Sequence, residues 1–112
     1  MKRIEMVKLE RDFNNIIKTG KYIKNNYFVI YNKENNLNKI RFGLAVGKKM
    51  GNAVTRNKYK RQLRMIIDNN KKFFNNGFDY IIMIKGAASN LKFNELEKSL
   101  SNLIGEIKWK NN

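Results

Sequence analysis

This sequence predicts an α+β fold with elements in the order α-β-β-α-β-α, and three observations carry that reading. Apolar residues recur at helical spacing in three separate stretches, aromatic and β-branched residues gather into runs between them, and 112 residues suffice for one hydrophobic core but hardly for two. Residues 1–112 are accordingly expected to form a single domain. Hydrophobic residues make up 42% and aromatics 12%, enough apolar surface to offset the entropy of ordering the chain and to exclude global disorder.

Leu9, Phe13, Ile16 and Ile17 lie at i, i+4, i+7 and i+8, one face of a short first helix that Gly20 ends. The stretch from Tyr22 to Tyr31 is aromatic and β-branched and reads as one strand. NKENNLNK then supplies turn chemistry before IRFGLAVGK, where Ile40, Phe42, Leu44 and Val46 share one face, and Arg41 with the small residues Gly43, Ala45 and Gly47 the other. From residue 53 to about 69 the period becomes helical. Tyr59, Leu63, Ile66 and Ile67 form its stripe, and Asn52, after Gly51, stands as its N-cap. DYIIMI, 79–84, follows Gly77 as a buried strand. Phe93, Leu96, Leu100, Leu103, Ile104 and Ile107 make the last helix, with Glu95 and Glu97 near its start and Lys108 and Lys110 at its end, as the helix dipole favours. Asparagine supplies 19 residues, and Lys outnumbers Arg 18 to 6. Both biases run through every segment, so the paired asparagines read as loop residues without an assigned role.

Charge narrows the function. Twenty-four Lys and Arg stand against 9 Asp and Glu, a net +15, and such self-repulsion points to a polyanionic partner, nucleic acid first. A membrane surface fits less well. No stretch approaches the roughly 18 apolar residues of a spanning helix, and the basic face lacks the opposing apolar face of an interfacial one. Cysteine and histidine are both absent, which excludes thiolate and imidazole metal sites, a cysteine nucleophile and any Ser-His-Asp relay. The start of the chain, MKRIEMVKLERDF, intersperses acids where a signal peptide would be apolar, so a cytoplasmic location is expected.

The basic residues are concentrated. Between Glu34 and Asp68 lie 33 residues with nine Lys or Arg, no carboxylate and four of the six arginines, Arg41, Arg56, Arg61 and Arg64. On the helix, Arg56, Lys60 and Arg64 fall at i, i+4 and i+8 with Asn57 and Arg61 beside them, a cationic plate set apart from the apolar stripe. Like charges at that spacing work against a helix, whereas guanidinium groups suit bidentate phosphate contacts and base stacking. GKKMGN, 47–52, presents Lys48, Lys49 and backbone N–H groups at the helix start. With the preceding strand it gives Gly43-x-x-x-Gly47-Lys48-Lys49, which is not a nucleotide-hydrolase loop, being one residue short and lacking the Ser or Thr that would touch magnesium. A merely solvated helix face is the competing reading.

The stretch RFGLAVGKKMGNAVTRNKYKRQLR, 41–64, resembles the strand, glycine-lysine turn and basic helix of the bacterial ribonuclease P protein family. ERDFNNIIKTG (10–20), NYFVIY (26–31), DYIIMIKGAA (79–88) and FNELEKSLSNLI (93–104) extend the resemblance over nearly the whole chain. It implies a two-layer α-β sandwich with a ribosomal-protein-like fold, a sheet of at most about four strands and a left-handed βαβ crossover, against the usual hand. It also implies the protein subunit of a ribonucleoprotein endonuclease that removes the 5′ leader of precursor tRNA, with the RNA subunit performing the cleavage and holding the magnesium ions. Carried over by position, the RNA-binding residues are Arg41, Lys48, Lys49, Asn52, Arg56, Asn57, Lys58, Lys60, Arg61 and Arg64. Lys58 stands where the family commonly has arginine, and Met65 where an acid or Gln is frequent. Phe13, Ile17 and Tyr31 would line a cleft for the single-stranded leader, with Ile17 where an aromatic is common. Phe28, Tyr27, Phe42 and Trp109 are expected in the core or at its rim. The partners implied are the catalytic RNA and precursor tRNA, with no membrane and no small-molecule substrate. Two other readings stand beside this one: a non-catalytic RNA-binding protein such as a ribosomal protein, and a metal nuclease using Glu10/Asp12 or Glu95/Glu97, pairs whose i, i+2 spacing does not share a helix face.

Overall fold

A computed structural model describes residues 6, 7 and 10–107; Leu9, Lys108, Trp109 and Lys110 lie outside them. The elements are α1 (Glu10–Thr19), β1 (Lys21–Lys24), β2 (Phe28–Glu34), β3 (Arg41–Val46), α2 (Ala53–Asn69), β4 (Phe78–Ile84) and α3 (Phe93–Ile104), with short 3-10 turns at Lys48–Met50, Lys71–Phe73 and Gly86–Asn90. The helices fall where periodicity places them, except that α3 ends at Ile104 and Ile107, expected on it, is buried just beyond its end. The single strand expected from Tyr22 to Tyr31 is instead a hairpin, because the Asn25 side chain accepts hydrogen bonds from the backbone N–H of Tyr27 and Phe28 at 2.9 and 2.8 Å and reverses the chain. Asn25 is therefore a turn-former and not a filler. In the β2–β3 connection, Asn36 and Asn38 take left-handed φ angles of 57° and 54°, which asparagine tolerates better than most residues.

The four strands lie in the order β1-β2-β4-β3. β1 and β4 flank β2 antiparallel, while β3 and β4 are parallel neighbours joined through α2. Period-2 alternation gives the sheet two different faces. Phe28, Ile30, Phe42, Tyr80, Ile82 and Ile84 point to one side and pack with Leu63, Ile66 and Ile67 of α2 and Leu96, Leu100, Leu103 and Ile104 of α3. Each such side chain stabilises the fold by roughly 1.5–3 kcal/mol through its burial. Tyr27, Ile40, Leu44 and Val46 are partly buried against the same cluster. This layer of sheet and helices is the α-β sandwich expected.

Toward the other face turn Val29, Tyr31, Gly43 and Ile81, partly covered by α1, whose Ile16 is buried. The small residue at 43 now has its reason: a Cβ there would lie 2.8 Å from Phe13 Cε2, so the Phe13 ring occupies the space. Gly20 ends α1 as expected, its N–H donating to the Ile16 carbonyl at 2.8 Å. Along the outer edge of β3, Met6 bridges Phe42, and the Val7 N–H donates to the Phe42 carbonyl at 2.8 Å.

Candidate nucleic-acid interface

The approach to α2 is held from below by one apolar anchor. Met50 is buried while Lys48 and Lys49, the two residues before it in the same short turn, stay exposed. Gly51 follows with φ 129°, a conformation that favours glycine, and lies against Thr55. Asn52 then caps the helix, its Oδ1 accepting from the Thr55 N–H at 2.9 Å. That oxygen is committed to the helix start, so Asn52 could offer a phosphate only its amide N–H groups.

Along α2 the burial follows the apolar stripe: Leu63, Ile66 and Ile67 are inside. Asn57, Lys58, Arg61 and Arg64 are exposed, whereas Arg56 and Lys60 are half-buried. The cationic row expected along Arg56, Lys60 and Arg64 thus leans into the protein at its N-terminal end. Arg56 Nε is buried and without a hydrogen-bond partner among the described residues. Val54 and Met65, 77% and 51% exposed, share the outermost ridge with Lys58 and Arg61 at helical spacing, so this surface mixes charge with apolar contact. Among the described residues, the ion pairs join Arg41 to Asp12 and Asp79 and Lys71 to Asp68. None of Lys48, Lys49, Arg56, Lys58, Lys60, Arg61 or Arg64 takes part in one.

Arg41 departs from the expectation. It sits on the opposite face of the sheet from α2, with Nε and Nη2 donating to the two carboxylate oxygens of Asp79 at 2.8 and 2.6 Å and Asp12 of α1 at 3.9 Å. Asp79 is buried and takes a third bond from Asn35 Nδ2 at 2.8 Å. The acid-free window in sequence does not make Arg41 free in space, because β4 brings a carboxylate to it in register, Arg41 opposite Asp79. Its side chain is 17% exposed, and it does not join the cationic ridge.

The α1 face carries the aromatic residues expected there. Phe13 lies over Gly43, and Tyr31 and Ile17 are half-buried. Sequence reasoning missed Tyr22. The hairpin sets it directly opposite Tyr31, with ring centroids 5.8 Å apart and planes tilted by 49°, and leaves it 57% exposed. In a single strand the two tyrosines, nine positions apart, would point to opposite faces; the Asn25 turn was the signal that places them together.

Carboxylates are otherwise engaged or dispersed. Glu95 accepts the Lys92 N–H at 2.8 Å at the start of α3, and Glu10 is exposed on α1. Among the described residues no three Asp or Glu side chains gather where a metal ion could be held. No helix among them is long and apolar enough to cross a membrane.

A sequence model of the family described as Ribonuclease P matches residues 1–108. The ribonuclease P protein component of Mycoplasma mycoides is 44% identical over 109 residues, covering 96% of this chain and 100% of that protein. That of Streptococcus pneumoniae serotype 4 is 41% identical over 104 residues, covering 93% and 85%. Among solved structures, the Staphylococcus aureus RNase P protein superposes with a TM-score of 0.85 at 31% identity over 95% of this chain and 97% of that one. The Thermotoga maritima RNase P protein gives 0.79 at 36% over 89% and 94%.

Proposed function

The chain belongs to the ribonuclease P protein family, the protein subunit of a ribonucleoprotein endonuclease that matures tRNA 5′ ends, and from that premise we propose how its two faces divide the work. The ridge of α2, with Asn57, Lys58, Arg61 and Arg64 outward and Arg56, Lys60, Lys48, Lys49 and Asn52 at its flank and approach, docks on the catalytic RNA. The α1 face, with Phe13, Ile17 and Tyr31, receives the single-stranded leader of precursor tRNA. One observation carries the reading: exposed cations without ion pairs among the described residues cover a helix of a protein with net charge +15, and phosphates are the ligand that relieves this repulsion.

Guanidinium groups of Arg61 and Arg64 make bidentate phosphate contacts, and Lys58 and Lys60 supply point charges. Val54 and Met65, at the two ends of the outermost ridge, lie against sugar or base surface. On the other face the leader bases lie against aromatic rings, a contact that tolerates any sequence. The chemistry belongs to the RNA partner, which supplies the magnesium ions; the protein orients the leader and lowers the repulsion between two polyanions. The site of action is the cytoplasm.

The test mixes the protein with a bacterial ribonuclease P RNA and precursor tRNA at low magnesium and scores cleavage at the mature 5′ end. Cleavage that needs both protein and RNA supports the assignment. A protein that binds ribosomal RNA yet never rescues the reaction overturns it in favour of a ribosomal role, and one that cleaves alone overturns the division between RNA and protein.

A further inference from the structure

We propose that Tyr22, on the exposed edge strand β1, is a stacking residue for single-stranded RNA and extends the leader cleft outward from Tyr31. The inference rests on the functional reading above. Sheet register carries it. Tyr22 stands opposite Tyr31, Tyr31 opposite Ile81, and Ile81 beside Gly43, so these four form one row across β1, β2, β4 and β3. Phe13 covers the Gly43 end of that row, and Tyr22, 57% exposed, closes the other end.

A lone exposed tyrosine on an edge strand needs no more than β-propensity to explain it. Three features set this one apart. Its ring pairs with that of Tyr31, centroids 5.8 Å apart and planes tilted by 49°, while the residue stays more than half exposed and so open to a base. The next residue on the same side of β1, Lys24, is exposed and cationic, suited to the phosphate of a stacked nucleotide. On α1, the position one turn after Phe13 is Ile17, an aliphatic side chain with no π face, so the helix wall supplies a single ring where β1 supplies another. The carboxylate of the adjoining row, Asp79, is bound by Arg41 and Asn35 and does not oppose a polyanion.

The experiment uses the reconstituted ribonucleoprotein with two precursor tRNAs, one with a single-nucleotide leader and one with a longer single-stranded leader, and reads the ratio of their affinities. Tyr22→Ala lowers the ratio about tenfold, the loss of one stacked base, while Tyr22→Phe retains it. A 2-aminopurine placed along the longer leader loses quenching at one position in Tyr22→Ala. A ratio unchanged in Tyr22→Ala, while the wild-type particle cleaves normally, overturns the role of Tyr22 and leaves the subunit assignment standing. A ratio that falls equally in Tyr22→Phe overturns stacking, since the ring is kept. A wild-type protein that never rescues cleavage overturns the reading beneath both.

Discussion

Truncation of Arg41 separates a folding role from an RNA-binding role for a residue that lies in the most basic stretch of the chain. Arg41→Ala removes both short bonds to Asp79, at 2.6 and 2.8 Å, and leaves a carboxylate that is 5% exposed with Asn35 as its remaining partner among those contacts. Breaking a buried pair from one side costs about 3–5 kcal/mol. A chain of 112 residues has a total stability of roughly 6–17 kcal/mol. At about 4 °C per kcal/mol the melting temperature should fall by roughly 12–20 °C. Circular dichroism melts measure the fall, and binding to the catalytic RNA well below the melt measures the surface. The salt dependence of that binding should stay at the wild-type slope. Replacing both partners, Arg41→Met with Asp79→Leu, should recover most of the stability, because no uncompensated charge remains. The argument fails if Arg41→Ala melts like wild type yet loses RNA affinity and salt slope.

Arg61→Ala and Arg64→Ala should behave in the opposite way, leaving the melt near wild type while each lowers affinity for the catalytic RNA and reduces the slope of log affinity against log salt by about 1; titrations at several salt concentrations decide it. Gly43→Ala drives a methyl against Phe13 at 2.8 Å and Ile81 at 3.2 Å, an overpacking that costs about 1–3 kcal/mol. It should weaken leader-dependent binding of precursor tRNA while sparing affinity for the catalytic RNA, measured with the same two substrates. Burial pushes the Tyr80 hydroxyl up to about 12, against a smaller opposing effect of its hydrogen bond from the Asn75 N–H. A pKa raised in the folded state adds stability that is complete below pH 10 and lost as pH climbs toward 12, roughly 2–3 kcal/mol in all. Tyr80→Phe should flatten that alkaline fall relative to wild type in pH-dependent denaturation, although it leaves the Asn75 N–H without this partner.

Periodicity located all three helices and the alternation in β3, because those signals depend only on which residues face a common core. The hairpin was not legible from apolar content, since residues 22–31 are aromatic and β-branched on both sides of the turn and the reversal depends on one side chain, Asn25, in a chain where asparagine is everywhere. The same limit governs the candidate site. Helical spacing placed Arg61 and Arg64 on the exposed side of α2, because their surroundings come from their own helix. The ion pair of Arg41 was not legible, because its partner is 38 positions away and arrives through strand pairing. Tyr22 was missed for the same reason, its placement being a property of the β1–β2 register.

Arg41 and Arg61 are the same residue type in one acid-free stretch, and what divides them is the side of the sheet each reaches. On the α1 face the charge of Arg41 is neutralised within the fold. On α2, Arg61 and Arg64 have no carboxylate partner among the described residues, so relief must come from solution or from a ligand. Salt and RNA therefore act alike on the free protein, each stabilising it, by screening in one case and by selective binding to the folded state in the other. They act oppositely on the complex, since salt competes with phosphate for the same cations. Melting temperature of the free protein should rise as salt is raised from a few millimolar, and the extra stabilisation gained from RNA should shrink over the same range. If the free protein melts at one temperature throughout, repulsion along the ridge is negligible, and the case for an external polyanion loses its energetic basis.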